Sequence, residues 1–487
     1  MELNELIQQR KTKLENLRSQ GIHGYGKPLA GRVDIGQVRQ EFEAGKKASI
    51  CGRLMAKRGH GKIIFADLRD STGRIQLYIK ADGVGAVNFA SLDNIEVGDF
   101  ISVAGELFMT HTAEQTVKVE QFSVLAKALR PLPEKWHGLK DVEVRYRQRY
   151  LDLVSNEAVR GVFVARSKVI QSLRKTLEGR GFLEVETPMM HPIVGGAAGR
   201  PFKTHHNEYG IDLFLRIAPE LYLKRLLVGG LDRVYEINRS FRNEGVSIKH
   251  NPEFTMLEAY CAYSDFEGMM HLCESLIVDA AQSVFGKLQF TYQGKEIDLT
   301  PPWKRVSFAQ LVKDKFGIEP QDQPAQMLAK LKERGASRDA DKLSRTQINK
   351  IIEDALEADM SVNPTFVSDY YTSLCPLAKT KPDNPLLSER FELFIAGMEV
   401  GNAYSELNDP QEQKARFEEE VKDPGETGAK VVDEDYCIAL EHGMPNAGGL
   451  GIGIDRLVML LTDQPSIREV ILFPLLRACE QEKSSGS

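Results

Sequence analysis

At 487 residues, 42% hydrophobic and 27% charged, the chain is too long for one compact domain and has ordinary material for two or three cores. No window approaches 18 uninterrupted apolar residues, which argues against a membrane-spanning helix, and the opening MELNELIQQRKTKLENL is too polar for a secretory leader. The net charge of −6 hides an asymmetry: residues 1–150 hold 24 Lys and Arg against 18 Asp and Glu, and the remainder holds 39 against 51. The first third is therefore the part suited to meet a polyanion. Cys51, Cys261, Cys273, Cys375, Cys437 and Cys479 stand far apart with no C-x-x-C pair. They read as reduced thiols of a cytoplasmic protein, neither a disulfide frame nor a zinc site.

Residues 1–20 predict an amphipathic helix, with Leu3, Ile7, Leu14 and Leu17 near helical spacing and Gly21 ending it. The stretch 22–47 is a connector to which the sequence assigns no role. From Ala48 the texture turns to β: ASICGRLMAKR, GKIIFADLRD, GRIQLYIKA, DFISVAGELFMT and QTVKVEQFSVLAKAL are strand-like runs divided by turn signals. Five short strands over 48–130 predict a five-stranded OB-fold barrel. Pro131 and Pro133 stiffen an extended linker, 131–155, in which Arg145, Arg147 and Arg149 alternate with Tyr146 and Tyr150 as a basic approach to a second domain, 156–480.

That domain opens with a helix over 162–180, the strand FLEVETPMM and the loop HPIVGGAAGRPF, where Gly195 and Gly196 let backbone come close to a small ligand. LFLRIAPELYLKRLLVGG reads as strand then helix, with Glu220 at the helix start. A carboxylate there stays ionised and can pair with an amine. Residues 233–260, RVYEINRSFRNEGVSIKHNPEFTMLEAY, form a long antiparallel hairpin around a polar loop, 243–252. Its second strand puts Phe254, Met256, Glu258 and Tyr260 on one face. A ring, a cation and carboxylates on one sheet face are costly to desolvate without a ligand. Arg242 is suited to hold a phosphate and Phe254 to stack on a nucleobase; the competing reading is a solvated hairpin with incidental charges.

Residues 265–286 and about 306–358 are helical in pattern, and FVSDYYTSLCPLAK returns to strand. In FELFIAGMEVGNAYSELNDP, Glu399 and Glu406 lie seven positions apart around Asn402. A bulge near Gly401 lets both acids converge on one cleft, where they suit Mg²⁺ or an ammonium group. GGLGIGIDRLVMLL reads as a glycine-punctuated strand and then a helix, at whose start Arg456 can meet an anion. The last residues, 481–487, read as a flexible tail.

The ordered string FRNEGVSIKHNPEFTMLEAY resembles motif 2 of the class II aminoacyl-tRNA synthetases, in the wording of the bacterial-type lysyl-tRNA synthetases. Residues 166–202 and 448–462 resemble motifs 1 and 3, and GKIIFADLRD with GRIQ resembles the anticodon-binding domain of class IIb. The resemblance implies an α+β chain: the barrel, and a catalytic domain with an antiparallel sheet flanked by helices and carrying a helical insertion at about 306–358. It implies a homodimer in which motif 1 builds the interface. The chemistry implied is activation of L-lysine by ATP to lysyl-adenylate, then transfer to the 3′ end of tRNA(Lys), with Mg²⁺ as cofactor.

By the same resemblance Arg242 stabilises the α-phosphate and Arg456 grips the ATP tail. Glu244, His250 and Phe254 serve ATP, and Glu399 and Glu406 hold the metal. Gly196 and Glu220 take the α-amine, while Glu258, Tyr260, Asn402 and Glu406 shape the lysine pocket. Phe65 stacks on an anticodon base and Gln76 reads a base edge; single-stranded bases do need a ring and a hydrogen-bonding side chain side by side. The competing reading makes Phe65 an inward core residue. Gly199, Tyr371 and Cys375 stand where the family pattern has Ala, Pro and Ser. Aspartyl or asparaginyl relatives are the nearest rivals, and an aspartate pocket would need fixed cations. A paralogue that acts on protein, or a scaffold with a dead site, sits poorly with the barrel and with Arg242, Arg456, Glu399 and Glu406.

Overall fold

A computed structural model of the chain describes residues 3–133, 139–197, 199–335, 345–357, 360–422 and 431–477. The contacts divide it into two compact units, Met1–Lys140 and Asp141–Ser487.

The first unit is built on a closed barrel of β1 (Lys47–His60), β2 (Ile63–Arg69), β3 (Arg74–Lys80), β4 (Phe100–Met109) and β5 (Gln115–Ala126), in the order β1-β2-β3-β5-β4. The two-residue alternation fills it: Ile75, Leu77 and Ile79 of β3 point inward with Leu54, Leu68, Val103 and Val117, while Arg74, Gln76, Tyr78 and Lys80 point out. The opening helix, Leu3–Ser19, ends before Gly21 as its spacing predicts and closes one side of this core through Leu17. The connector gains structure that the sequence did not announce, a short helix over Ile35–Gln40 whose Ile35 and Val38 are buried.

In the second unit, 142–155 is not the extended basic linker that its prolines and alternating arginines suggest. It forms two helices, Val142–Arg147 and Arg149–Ser155. The arginines face inward: Arg149 is wholly buried, 2.6 Å from Asp152, and donates to the carbonyls of Arg468 and Leu472, while Arg145 bridges Glu469 at 2.9 Å. Short strands follow the long helix Glu157–Gly179: β6 (Leu183–Glu184), then β7 (Met190–His191), β8 (Lys203–His206) and β9 (Ile211–Leu215) as a small sheet. Only two residues of the expected strand FLEVETPMM pair as β6.

The main sheet joins β10 (Arg233–Phe241) and β11 (Glu253–Ala262) to strands from the rest of the chain. The remaining strands, in chain order, are β12 (Gln289–Tyr292) and β13 (Lys295–Asp298), which form a separate pair, β14 (Lys304–Ser307), β15 (Thr365–Ser368), β16 (Thr380–Lys381) and β17 (Asn384–Ser388), a second separate pair, then β18 (Arg390–Ile395), β19 (Met398–Ser405) and β20 (Ala447–Gly453). Eight of them form one sheet in the order β14-β15-β18-β19-β20-β11-β10-β6. It is antiparallel through its centre and parallel at both edges, β14 with β15 and β6 with β10.

One face of this sheet is dry. Leu257 and Ala259 of β11, Leu450 and Ile452 of β20, and Val400 and Ala403 of β19 pack there with the helices Glu157–Gly179, Phe266–Phe285 and Ile454–Leu461. Among the described residues the helical insertion shows three helices, Phe308–Phe316, Pro324–Glu333 and Arg345–Glu357, whose core also takes in Val367 of β15 and Phe394 of β18. Tyr371 and Cys375 are buried in that core, where Tyr371 packs and Cys375 Sγ also accepts from Arg390 at 3.3 Å.

Candidate functional site

The opposite face of the main sheet carries the polar residues. Direct pairing lines up Glu392, Asn402, Gly451, Glu258 and Glu236 across five strands, and Arg390, Tyr404, Gly449, Tyr260 and Val234 in the next row. Glycines floor the middle of the cleft. A Cβ on Gly449 would fall 1.9 Å from Glu406 Oε1 and 2.6 Å from the Tyr260 ring. The odd spacing of Glu399 and Glu406 would put them on opposite faces of a regular strand. A register shift where Leu393 faces Gly401 and Phe394 faces Glu399 absorbs one residue and returns both to the cleft side. Gly401 sits at that shift because a Cβ there would meet the Gly451 carbonyl at 2.9 Å.

One group of side chains suits a nucleotide. Arg242 leaves β10 into the loop, its guanidinium 5.2 Å from the centre of the Phe254 ring and its Nε buried without a partner. Burial lowers its pKa, but Glu399 and Glu244 oppose that and a guanidinium keeps its charge. Glu244 accepts from the Arg200 amide at 3.3 Å, and a Cβ on Gly199 would press on both Arg242 and Glu244 at 3.3 Å, so the glycine in place of alanine relieves crowding. Arg456 donates to the Glu399 carbonyl at 2.6 Å and to its carboxylate at 3.1 Å. It also lies 3.2 Å from His250 Nε2, which must accept because a guanidinium has only donors. Burial, Arg456 and Arg242 push the His250 pKa down, so the ring is neutral.

A second group suits an amine. Glu220, Glu258, Glu406, Lys224, Tyr260, Tyr404 and Tyr436 are gathered together, and the four charged members are buried. Glu220 begins the helix Glu220–Val228 and accepts on Oε1 from Lys224 at 2.6 Å and from the Tyr404 hydroxyl at 2.5 Å. Gly196, with φ of 86°, lies against it: a Cβ there would touch Glu220 Cβ at 3.3 Å. Lys224 also ion-pairs with Glu406 Oε2. Burial works against the Lys224 charge, but Glu220 and Glu406 raise its pKa above the ordinary lysine value. Among the described residues Glu258 has only the Tyr260 hydroxyl as a donor, at 3.2 Å, and burial together with Glu220 pushes its carboxyl up to about 8. Burial likewise raises Glu406 well above the usual range, against the pull of Lys224.

The metal pair expected from the spacing, Glu399 with Glu406, is not the pair that the structure associates. Glu406 is wholly buried with Lys224 in the amine group. The acid that Glu399 acts on is Glu392: burial and Glu399 push the Glu392 carboxyl up to about 8, against Arg390. Tyr370 and Arg390 orient Glu392 by bonds of 2.7 and 2.5 Å. Burial opposes the charge of Glu399, yet Arg456, with Arg390 and Arg242, holds its pKa below the ordinary carboxylate range. Among the described residues no three His, Cys, Asp or Glu side chains are grouped to hold a metal ion by themselves. Mg²⁺ takes one or two carboxylates and completes its shell with phosphates and water, so the donor chemistry of Glu392 and Glu399 fits it.

Sequence reasoning missed Glu392, Lys224, Tyr404 and Arg390. One signal for Glu392 was available, since the seven-residue spacing occurs twice, Glu392 to Glu399 to Glu406.

On the barrel, Phe65 is 37% exposed on the outer face and takes no part in the core. Its ring centre is 5.3 Å from that of Tyr78, which lies 5.8 Å from that of Phe108. Gln76 shares this face and accepts from the Thr116 hydroxyl at 3.1 Å. The inward reading of Phe65 is overturned by its position in β2, where Ile64, Ala66 and Leu68 take the core side.

The second unit thus carries a cleft with two arginines beside an anionic pocket, and the first a five-stranded barrel bearing an aromatic row. The chain belongs to the class II tRNA synthetases of the D, K and N group, whose family pattern matches residues 141–477; residues 48–125 match the OB-fold nucleic acid binding domain. Among its full-length relatives, a lysine–tRNA ligase of Carboxydothermus hydrogenoformans is 52% identical over 98% of this chain and 99% of its own length. The lysine–tRNA ligases of Moorella thermoacetica and of Thermoanaerobacter sp. are each 50% identical over 98% of this chain, covering 99% and 97% of their own.

Proposed function

We propose that the chain is a lysine–tRNA ligase. It activates L-lysine with ATP, releasing pyrophosphate, and passes the lysyl group to the terminal ribose of tRNA(Lys). The observation that carries the choice of amino acid is the amine group itself: three buried carboxylates against one buried ammonium. An aspartate pocket needs a free cation, and Lys224 is already ion-paired with Glu220 and Glu406.

In the first step a lysine carboxylate oxygen attacks the α-phosphorus in line and the bond to the pyrophosphate oxygen breaks. Arg242, partnerless at Nε, donates to the charge that grows on the α-phosphate oxygens, and it is already oriented over Phe254. Phe254 and Glu244 hold the adenine, Arg456 the phosphate tail, and neutral His250 keeps Arg456 in place without adding charge. Glu220 and Gly196 take the α-ammonium; Glu258, Tyr260, Asn402 and Glu406 surround the ε-ammonium. Glu392 and Glu399 would hold Mg²⁺, which would supply positive charge to offset that of the ATP phosphates. Catalysis by such a site is positioning and charge compensation, with no covalent nucleophile.

The aromatic row of Phe65, Tyr78 and Phe108, with Gln76, is the surface for anticodon bases. A homodimer joined through motif 1 and a cytoplasmic location complete the reading. The five described cysteines are all free, as a reducing compartment requires, and among the described residues no helix is long and apolar enough to cross a membrane.

The test is ATP–pyrophosphate exchange with each amino acid in turn. Lysine alone should support exchange, and Arg242→Ala should reduce it by ~10³-fold or more in a protein that keeps its thermal stability. Exchange driven by aspartate or asparagine, or an Arg242→Ala protein as active as the parent, would refute the assignment.

A further inference from the structure

We propose that Lys224 sets the net charge of the amino-acid pocket at the value that a diammonium substrate needs, an inference that rests on lysine being the substrate. Three carboxylates are buried here, Glu220, Glu258 and Glu406, and a single ammonium, that of Lys224, is buried with them. The hydroxyls of Tyr260, Tyr404 and Tyr436 add no charge. The buried charges just beyond cancel locally: Arg216 pairs with Glu236 at 2.7 Å, and Arg225 with Asp433 at 3.1 Å, its second partner, Asp435, being exposed to solvent. With the three carboxylates ionised, as they are when ammonium groups occupy the pocket, two negative charges are left over. Lysine brings two ammonium groups, and its carboxylate is answered by Arg242.

Lys224 does not touch the substrate. Its side chain is fully buried, one helical turn past Glu220, with Nζ 5.3 Å from the centre of the Tyr404 ring. It acts through its partners as a positioning residue. By holding Glu406 through Oε2, it leaves Oε1 directed over the glycine floor, at the spot that a Gly449 Cβ would occupy. By sharing Glu220 Oε1 with the Tyr404 hydroxyl, it fixes that carboxylate beside Gly196. Without it the pocket would hold three like charges in a volume closed to water, a state that favours protonation over substrate binding.

The alternative is that Lys224 is only a strut for its helix. The two differ in sign when the charge count is restored by a second substitution. Glu406→Gln leaves one unbalanced negative charge for two ammonium groups; adding Lys224→Met brings the count back to two. We expect the lysine KM in ATP–pyrophosphate exchange to rise in Glu406→Gln, and to fall by about tenfold from that value in Glu406→Gln/Lys224→Met, the scale of one charged contact. The ATP KM should stay within about twofold across the pair, since neither residue faces the nucleotide group. A strut predicts accumulated damage. A double variant with a higher lysine KM than Glu406→Gln, an equal one, or no folded protein at all overturns the proposal. A parent enzyme that activates some other amino acid in the same assay defeats the lysine reading instead, before Lys224 is at issue.

Discussion

Glu258 is a buried carboxylate that, among the described residues, ion-pairs with no cation, Arg216 acting on it only from a distance. Burial, with Glu220 nearby, raises its pKa from an ordinary 4.5 to about 8 in the folded chain. The sign of the consequence follows from linkage: the folded state holds a proton that the unfolded state releases. The stabilisation from this group is therefore complete below pH 4.5 and disappears as pH rises through about 8. Ligand-free protein should lose thermal stability between pH 5.5 and 8.5 more steeply than Glu258→Gln, which has nothing to titrate. Lysine should reverse the sign. Its ε-ammonium, with a pKa of ~10.4, pairs with the ionised carboxylate and expels the proton. Titration calorimetry at pH 7 in buffers of different ionisation enthalpy should show roughly one proton more released on lysine binding by the parent than by Glu258→Gln. Equal proton release by the two proteins would exclude Glu258 from the pocket.

The elements that carry the site are tied together beneath it. Arg166, on the helix Glu157–Gly179, bridges Asp455 at 2.6 Å and donates to the Thr255 hydroxyl at 3.0 Å, and the Thr255 amide donates to Asp455 at 2.7 Å. Thr255 follows Phe254 and Asp455 precedes Arg456, so the triad sets the spacing between the base platform and the arginine for the phosphate tail. Arg166→Met leaves Asp455 charged and buried, which costs ~3–5 kcal/mol. Urea unfolding should show that loss, and the ATP KM should rise while the lysine KM holds, with partial recovery in Arg166→Lys. An equal rise in both constants would reduce the triad to a structural bond. Elements of this kind were the most legible part of the sequence: the hairpin of β10 and β11, the helix at Glu220 and the bulge at Gly401 follow from local pattern. What stayed hidden was decided by packing. Lys224 four residues after Glu220 reads as a solvated ion pair. Glu392 in RFELF reads as the outward residue of a strand. Arg145 and Arg149 read as a basic surface until the carbonyls and Glu469 that receive them come from more than 300 positions away.

For the whole molecule, the division into two units predicts that its two reactions can be separated. The barrel closes on its own core, and Phe65 lies outside that core, so truncating it should leave the barrel folded. The cleft on the main sheet belongs to the other unit, and every residue assigned to lysine and ATP lies within it. Phe65→Ala should therefore leave ATP–pyrophosphate exchange unchanged and weaken aminoacylation of tRNA. Loss of one stacked base is worth ~1–3 kcal/mol, or about 5- to 150-fold, expected in the KM for tRNA before kcat. The positive excess of residues 1–150 adds a condition. A contact made by stacking survives added salt, whereas contacts to phosphate weaken with it. The ratio of parent to Phe65→Ala activity should therefore stay nearly constant from 50 to 200 mM salt while both activities fall. A ratio that collapses toward one with salt would mean that Phe65 acts by placing cations, and a matching loss of exchange would mean that the substitution had damaged more than the barrel surface.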